Sequence, residues 1–467
     1  MTITGRFERV LVLGAIAVLG AVLLAADALA KKDRTSLVSR QSASAGGAGG
    51  DDVANDPAVS RSGRFVAFQT QADNLGGPAQ DVTNVYLYDR ERKKVELISR
   101  QSKSAGGAGA DDFANDPSIS DDGRYVSFET AADNLGGPID TSVDNIYVYD
   151  RKRDKVKLVS RRSKNSGGAA GNDFSNDPSI SGNGRYVAFE TESTNLGGPL
   201  NTAAGEDNVY VYDLDRKKVE LVSRASNGEG GDSLSRTSSE GGGAISRSGR
   251  FVVFQSFADN LGGPIDPNVD NVYVYDRNRD KVTLASRRSQ GAGGAGADGS
   301  SEGQVISANG RFVAFDTQAT NLGGPLNNVP GDANVYMYDL DRKRIQLVSR
   351  RSQSAGGQGA DGFSEQASIS ANGRFVAFET EGTNLGGPLN TAAGEDNVYV
   401  YDLDRKKVEL VSRQSKPAGN QGADDSSQTA AISGSGRFVV FETEATNLGG
   451  PLGTPLDVDN VYIRDRG

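Results

Sequence analysis

The chain has 467 residues, 36% of them hydrophobic, with 60 Gly and a formal net charge of −10. That charge excludes unspecific nucleic-acid binding, which needs an excess of Lys and Arg for phosphate contacts. The absence of both Cys and His excludes disulfides, thiol nucleophiles, His-dependent triads and His-built zinc sites.

The first element is N-terminal. Arg6 and Arg9 precede an apolar run from Val10 to Ala26, and Ala28-Leu29-Ala30 supplies a small-x-small cleavage site. Residues 1–30 therefore read as a secretory signal peptide or as an uncleaved membrane anchor. Either reading places residues 31–467 outside the cytoplasm, secreted or in the periplasm or cell envelope of a bacterium.

The rest of the chain repeats itself. Gly-Arg-Phe/Tyr-Val recurs with its Gly at Gly63, Gly123, Gly184, Gly249, Gly310, Gly373 and Gly436. Asn-Leu-Gly-Gly-Pro and then Asn-Val/Ile-Tyr follow each copy. In the second copy, Pro117–Ser120 reads as a short strand A, and Asp121-Asp122-Gly123 as a tight turn whose Gly supplies positive φ. Arg124–Thr130 is strand B, Asn134–Asp144 a long loop, Asn145–Asp150 strand C, Arg151–Asp154 a polar turn and Lys155–Ser160 strand D. Four short antiparallel strands per unit, with no helical period, describe a propeller blade.

The ends are offset. Ser36–Arg40 matches strand D, whereas Asn460–Asp465 matches strand C, so the last copy lacks the strand that the first segment has to spare. The fold expected is all-β: a seven-bladed propeller in which an N-terminal strand pairs with the last blade, using residues 36–40 and 430–465. Aromatics at regular positions in strands B and C read as inter-blade packing.

Ser-x-x-Gly-Arg-Tyr-Val-Ala-Phe followed by Asn-Val-Tyr-Val-Tyr-Asp and Lys-Val-x-Leu-Val-Ser resembles the TolB-type propeller repeat, a relative of WD repeats, over residues 36–466. The resemblance implies a propeller. The N-terminal α/β domain of TolB has no counterpart here, and TolB-like propellers usually have six blades where seven repeats are counted.

In such a meander the A–B and C–D turns share one face, and the longer B–C and D–A loops share the other. Long loops on a rigid scaffold are where binding usually lives. The acidic binding-face candidates are Asp111, Asp112, Asp133, Asp140 and Asp144, opposite a basic turn at Arg151–Lys155. Asn-Asp-Pro just before strand A puts Asp56, Asp116 and Asp177 of three adjacent blades at the channel mouth. They form a candidate cation site, against the plainer reading that Asx-Pro starts a turn. The runs Gly46–Val53, Gly106–Phe113 and Gly356–Phe363 match a calcium-binding nonapeptide, but each stands alone, so a flexible Gly loop is the competing reading. No cofactor is expected, calcium excepted. The expected role is a monomeric, non-enzymatic scaffold that binds a protein or other envelope ligand through the long-loop face. It would touch a membrane only through an uncleaved N-terminal segment. The rival readings are a glycan-active enzyme using a carboxylate pair and a purely structural surface protein.

Overall fold

A computed structural model describes residues 33–467 except 78–81, 138–142, 204, 238–242, 267–268, 327–328, 393 and 451–457. The strands form seven four-stranded antiparallel sheets, each a consecutive meander except one. In the second blade the strands are Ala114–Ile119 (A), Tyr125–Thr130 (B), Asn145–Asp150 (C) and Lys155–Leu158 (D). The exception closes the ring. Arg34–Leu37 pairs with Asn460–Asp465, which continues to Phe438–Thr443 and Ser427–Ile432. The register runs from Arg34 opposite Asp465 to Leu37 opposite Tyr462. The closing strand thus lies two residues earlier than expected from the sequence.

The repeated Gly of the A–B turn meets two demands. Gly123 has φ 68°, which an L side chain adopts only at a cost, and a Cβ there would lie 2.2 Å from the Phe65 ring of the preceding blade. The same intrusion recurs at Gly63 against Phe438 and at Gly184 against Tyr125. Phe65 is in turn held between two guanidinium groups, Arg64 of its own blade and Arg151 of the next, each 4.7 Å from the ring centroid. Arg151 then reaches back to Glu96 at 3.1 Å. Other aromatics stack within a blade, as Phe68 does on Tyr86.

Between blades lies the hydrophobic core. Ala67, Val85, Leu87 and Ile98 of the first blade meet Val126, Phe128, Tyr147 and Tyr149 of the second. Seven such clusters weld the ring, and their burial is the main driving force for closure. The innermost strands line a central channel whose throat is a ring of Val59, Ile119, Ile180, Ile245, Ile306, Ile369 and Ile432.

One boundary differs from the sequence reading in a way that matters. Strand A begins at Ala114, so Asn115-Asp116-Pro117 lies inside the strand and not before it. The ladder slips between Asn115 and Ser118, and Asp116 takes φ 48°. A bulge absorbs the residue that cannot pair. Asp56, Asp177, Gln366 and Thr429 hold the same left-handed position in their blades, and Gly303 holds it in the fifth.

Candidate functional site at the long-loop mouth

The long loops are ordered by each other. Asp111 Oδ1 accepts from the backbone N–H of Asp133 and Asn134 at 3.1 and 3.4 Å, and Asn134 Nδ2 donates to the Gly109 carbonyl at 2.9 Å. Asp51 does the same for Asp73 and Asn74. The Asp of the glycine-rich run is therefore a staple between the D–A and B–C loops, which replaces the expectation of a flexible Gly loop and leaves that carboxylate already engaged.

Of the other binding-face candidates, Asp112 caps its own neighbour through the Phe113 N–H at 2.8 Å. Asp133 is exposed, and a hydrogen bond shared with Asp111 raises its pKa. Asp144 is half-buried, which raises its pKa, and its carbonyl accepts from Ser175 N–H of the next blade at 3.0 Å. Asp140 lies outside the described residues. Asp111, Asp112, Asp133 and Asp144 sit on the loops, outside the channel mouth.

The mouth itself is built by two positions per blade. One is the bulge residue of strand A. The other, which the sequence reading missed, is the penultimate residue of strand B: Gln69, Glu129, Glu190, Gln255, Asp316, Glu379 and Glu442. In six of these positions the side chain reaches across the blade boundary and accepts the N–H of the next bulge. Gln69 accepts from Asp116 at 2.8 Å, Glu129 from Asp177 at 3.1 Å, Glu190 from Thr237 at 2.8 Å, Glu379 from Thr429 at 2.8 Å and Glu442 from Asp56 at 2.8 Å. Asp316 does so for Gln366. The recurring Phe-(Gln/Glu/Asp)-(Thr/Ser) was the signal available in the sequence. A polar residue at a buried alternation position has to find a partner.

Of the three expected cation ligands, the structure brings Asp116 and Asp177 together and adds Glu129. Carboxylate oxygens of these three lie within 4.8 Å of one another. Asp56 instead accepts from Gln69 Nε2. Glu129 is already bonded to the Asp177 N–H and to the Asp116 side chain, so hydrogen bonds and shared protons suffice to hold the cluster.

Burial dominates the electrostatics. It pushes Asp56 and Glu129 up to about 7, with Asp116 and Asp177 as the respective repelling neighbours. It pushes Glu190 to about 8, aided by Asp207, and Glu442 to about 8, aided by Asp56. Asp177, buried beside Glu190 and hydrogen-bonded to it, is raised well above the usual carboxylate range. Like charges at close range in a dry site cannot all ionise. Beside this cluster a cavity of about 590 Å³ opens, lined by Asp177, Glu190, Asp207, Thr237, Glu302 and Asp316 among others, with Arg236 held at 3.0 Å by Asp207. Phe174 and Phe257 are exposed on the same face, 39% and 38% accessible.

The opposite end of the channel is different. Arg61 and Arg247 reach Asp121 from two sides, at 3.5 and 2.8 Å, and small residues such as Gly182 and Gly434 complete the rim. A Cβ at Gly182 would lie 2.7 Å from Asp121 and at Gly434 2.6 Å from Arg61. The molecule is a cup with an acidic mouth, an aliphatic throat and an ion-paired floor.

Solved structures share this architecture. The propeller domain of the Trilobed protease from Pyrococcus furiosus has a TM-score of 0.51 and 12% identity over 89% of this chain and 94% of that one. An oligogalacturonate lyase from Vibrio parahaemolyticus has a TM-score of 0.47 and 11% identity, covering 93% and 90%. TolB from Acinetobacter baumannii has a TM-score of 0.38 and 14% identity over 70% of this chain, and the chain spans only 58% of that TolB. No family model and no curated protein matches the sequence. The protein is a seven-bladed β-propeller, and the likeness to these structures is one of fold.

Proposed function

We propose that this protein is an extracytoplasmic scaffold that binds a protein or other envelope ligand at its long-loop face and does not turn it over. One observation carries the reading: an acidic cavity of about 590 Å³ opens at the channel end that bears the stapled long loops, on the face where Phe174 and Phe257 are exposed. Rigid walls, a concave mouth and a few convergent polar groups are the ordinary features of a binding site. The carboxylates select a partner that presents a cationic group. The apolar N-terminal run supports the extracytoplasmic placement. Among the described residues no helix is long and apolar enough to cross a membrane.

Capture from envelope extract tests this with a variant of the mouth, Asp177→Asn with Glu190→Gln, beside a variant of the outer loop, Asp112→Asn. Species retained by the wild type and the outer-loop variant but lost from the mouth variant support the reading. Identical retention by all three overturns it. The Asp177–Glu190 pair, buried and sharing a hydrogen bond, is what favours the glycan-active alternative. Release of new sugar ends from a polysaccharide panel by the wild type, abolished by Glu190→Gln, would establish that alternative instead.

A further inference from the structure

The face opposite the proposed binding mouth has a charge pattern of its own. At the first residue of strand D every blade places a cation: Arg34, Lys94, Lys155, Lys218, Lys281, Arg344 and Lys407. All seven are exposed. Each stands opposite the Asp that ends strand C, as Lys94 does Asp89 and Lys155 does Asp150. That Asp does not neutralise it, because the strand-B Arg already takes both carboxylate oxygens: Arg64 on Asp89 at 3.0 and 2.7 Å, and Arg124 on Asp150 at 2.8 and 2.7 Å. None of the seven cations forms an ion pair among the described residues. A chain of net charge −10 thus segregates its charge, with a ring of free cations around one face and buried carboxylates at the other. Such a dipole orients a protein over a charged surface.

The chain path points the same way. Strand D starts at the short-turn face, so the polypeptide enters the body there, at Asp33. Immediately before it come Lys31, Lys32 and, further back, the apolar run Val10–Ala26. The last residue, Gly467, follows strand C onto the same face. On the anchor reading of residues 1–30, a segment suited to the bilayer is thus tethered to the cationic side of the propeller.

From these two observations we propose that the short-turn face rests on an anionic lipid bilayer through this cation ring, leaving the acidic mouth directed away from the membrane. The contact is electrostatic and peripheral. The exposed large apolar side chains among the described residues, Phe174, Phe257 and Val329, all belong to the long-loop side, so nothing on the basic face inserts. A closed ring of cations on one face matches a surface, whereas a linear polyanion would be served by a groove.

The test uses the exported protein, with vesicles of phosphatidylcholine containing phosphatidylglycerol against phosphatidylcholine alone. Because the chain has no Cys, Asn278→Cys on a C–D turn and Thr194→Cys on a B–C loop each accept a single fluorophore. Lipid-borne quencher is expected to quench the label at position 278 and spare that at 194, on anionic vesicles only. Raising the salt from ~0.05 to ~0.5 M should abolish the difference, since screening shortens to a few Å. Substituting Gln at Lys94, Lys155, Lys218, Lys281 and Lys407 should weaken association at least ~10-fold. These exposed positions leave the fold intact, which a thermal melt checks, and the salt series reports on the unaltered chain. Equal quenching at both labels, or the same result on neutral vesicles, overturns the proposal. So does retention on immobilised heparin without vesicle association, which would assign the face to a soluble polyanion.

Discussion

Carboxylates at the two ends of the propeller live in opposite states. At the short-turn end, burial alone would raise Asp89, Asp150 and Asp213, but bidentate Arg partners and turn N–H groups pull them below the ordinary value. At the long-loop end Glu129, Glu190, Asp316 and Glu442 have no bidentate Arg among the described residues, Arg236 offsets only part of the shift at Glu190, and burial wins, taking them to between about 7 and about 8. The same residue types serve once as charged anchors and once as proton-holding clasps. What decides is whether the repeat places a guanidinium within reach. The floor of the cup is consequently fixed by charge, and its mouth is poised to exchange a proton for a cationic ligand.

The strongest test of the charged end is the closing blade. In the second blade Arg100 and Tyr149 both engage Asp154, the former at 2.7 Å. In the last blade the matching Tyr is Arg464, fully buried, which donates to Asp33, to Thr35 Oγ1 at 2.8 Å and to the Gln414 carbonyl at 2.9 Å. Burial would raise Asp33, but Arg464, Lys416 and Arg413 outweigh it and lower its pKa. Where the chain is not continuous, an ion cluster stands in for the covalent turn. Asp33→Ala leaves a buried guanidinium short of its partner and should cost about 3–5 kcal/mol in denaturant melts. A loss below ~1 kcal/mol, the value of an exposed pair, would mean that strand pairing alone closes the ring.

Next in size is the A–B turn. Gly123→Ala combines a left-handed φ with a clash against Phe65, and should cost about 2–4 kcal/mol. Gly136→Ala has φ 85° but nothing within 4 Å, so only the backbone term remains, about 1 kcal/mol. Equal losses at the two sites would show that the Phe ring moves aside freely.

These cases mark how far the sequence could be read. The seven repeats and the offset of Ser36 and Asn460 made the propeller and its closure legible, because period and strand alternation survive without coordinates. The acidic mouth was half legible. Asp116 and Asp177 stood out as Asn-Asp-Pro, whereas Glu129 and its six counterparts were hidden inside an apparently ordinary strand B. Their role depends on a bulge in the neighbouring blade, and a bulge leaves no periodic signature. The Arg–Asp pairing was equally hidden. Arg124 and Asp150 are 26 residues apart, and only the B–C register brings them together.

The contrast between the ends predicts a pH profile. The mouth groups have folded pKa values raised above their unfolded ones, so the stability they allow is complete below about pH 4 and is lost as pH rises through 7 to 8. The rim Asp groups are lowered, and their contribution is present above about pH 4 and lost below it. Tyr149, donating to Asp154, takes that carboxyl down to about 2. The melting temperature should therefore peak near pH 5 and fall toward both pH 8 and pH 3. Calorimetry across that range checks it, and a plateau from pH 5 to pH 8 would contradict the ionisation assigned to the mouth.

The smallest effect isolates one clasp. Asp316 lies in the fifth blade, apart from the Asp116–Glu129–Asp177 cluster, and is 3% exposed. Burial first, then Glu302 and Glu365, lift it to about 8, while the Gln366 N–H it accepts works the other way. Asp316→Asn keeps an oxygen for that N–H and removes the charge. Below about pH 4 the carboxyl is neutral in the folded and the unfolded chain alike, so at pH 4 the two melting temperatures should nearly coincide. By pH 8 the unfolded wild type is ionised while burial still holds Asp316 protonated in much of the folded protein, and the variant should melt at least ~2 °C higher, the equivalent of about 1 kcal/mol in a chain of this size. A gain of the same size at pH 4 would mean the effect is packing and not ionisation. A loss at pH 8 would mean the carboxylate is charged in the folded protein and holds its blade boundary more tightly than an amide can.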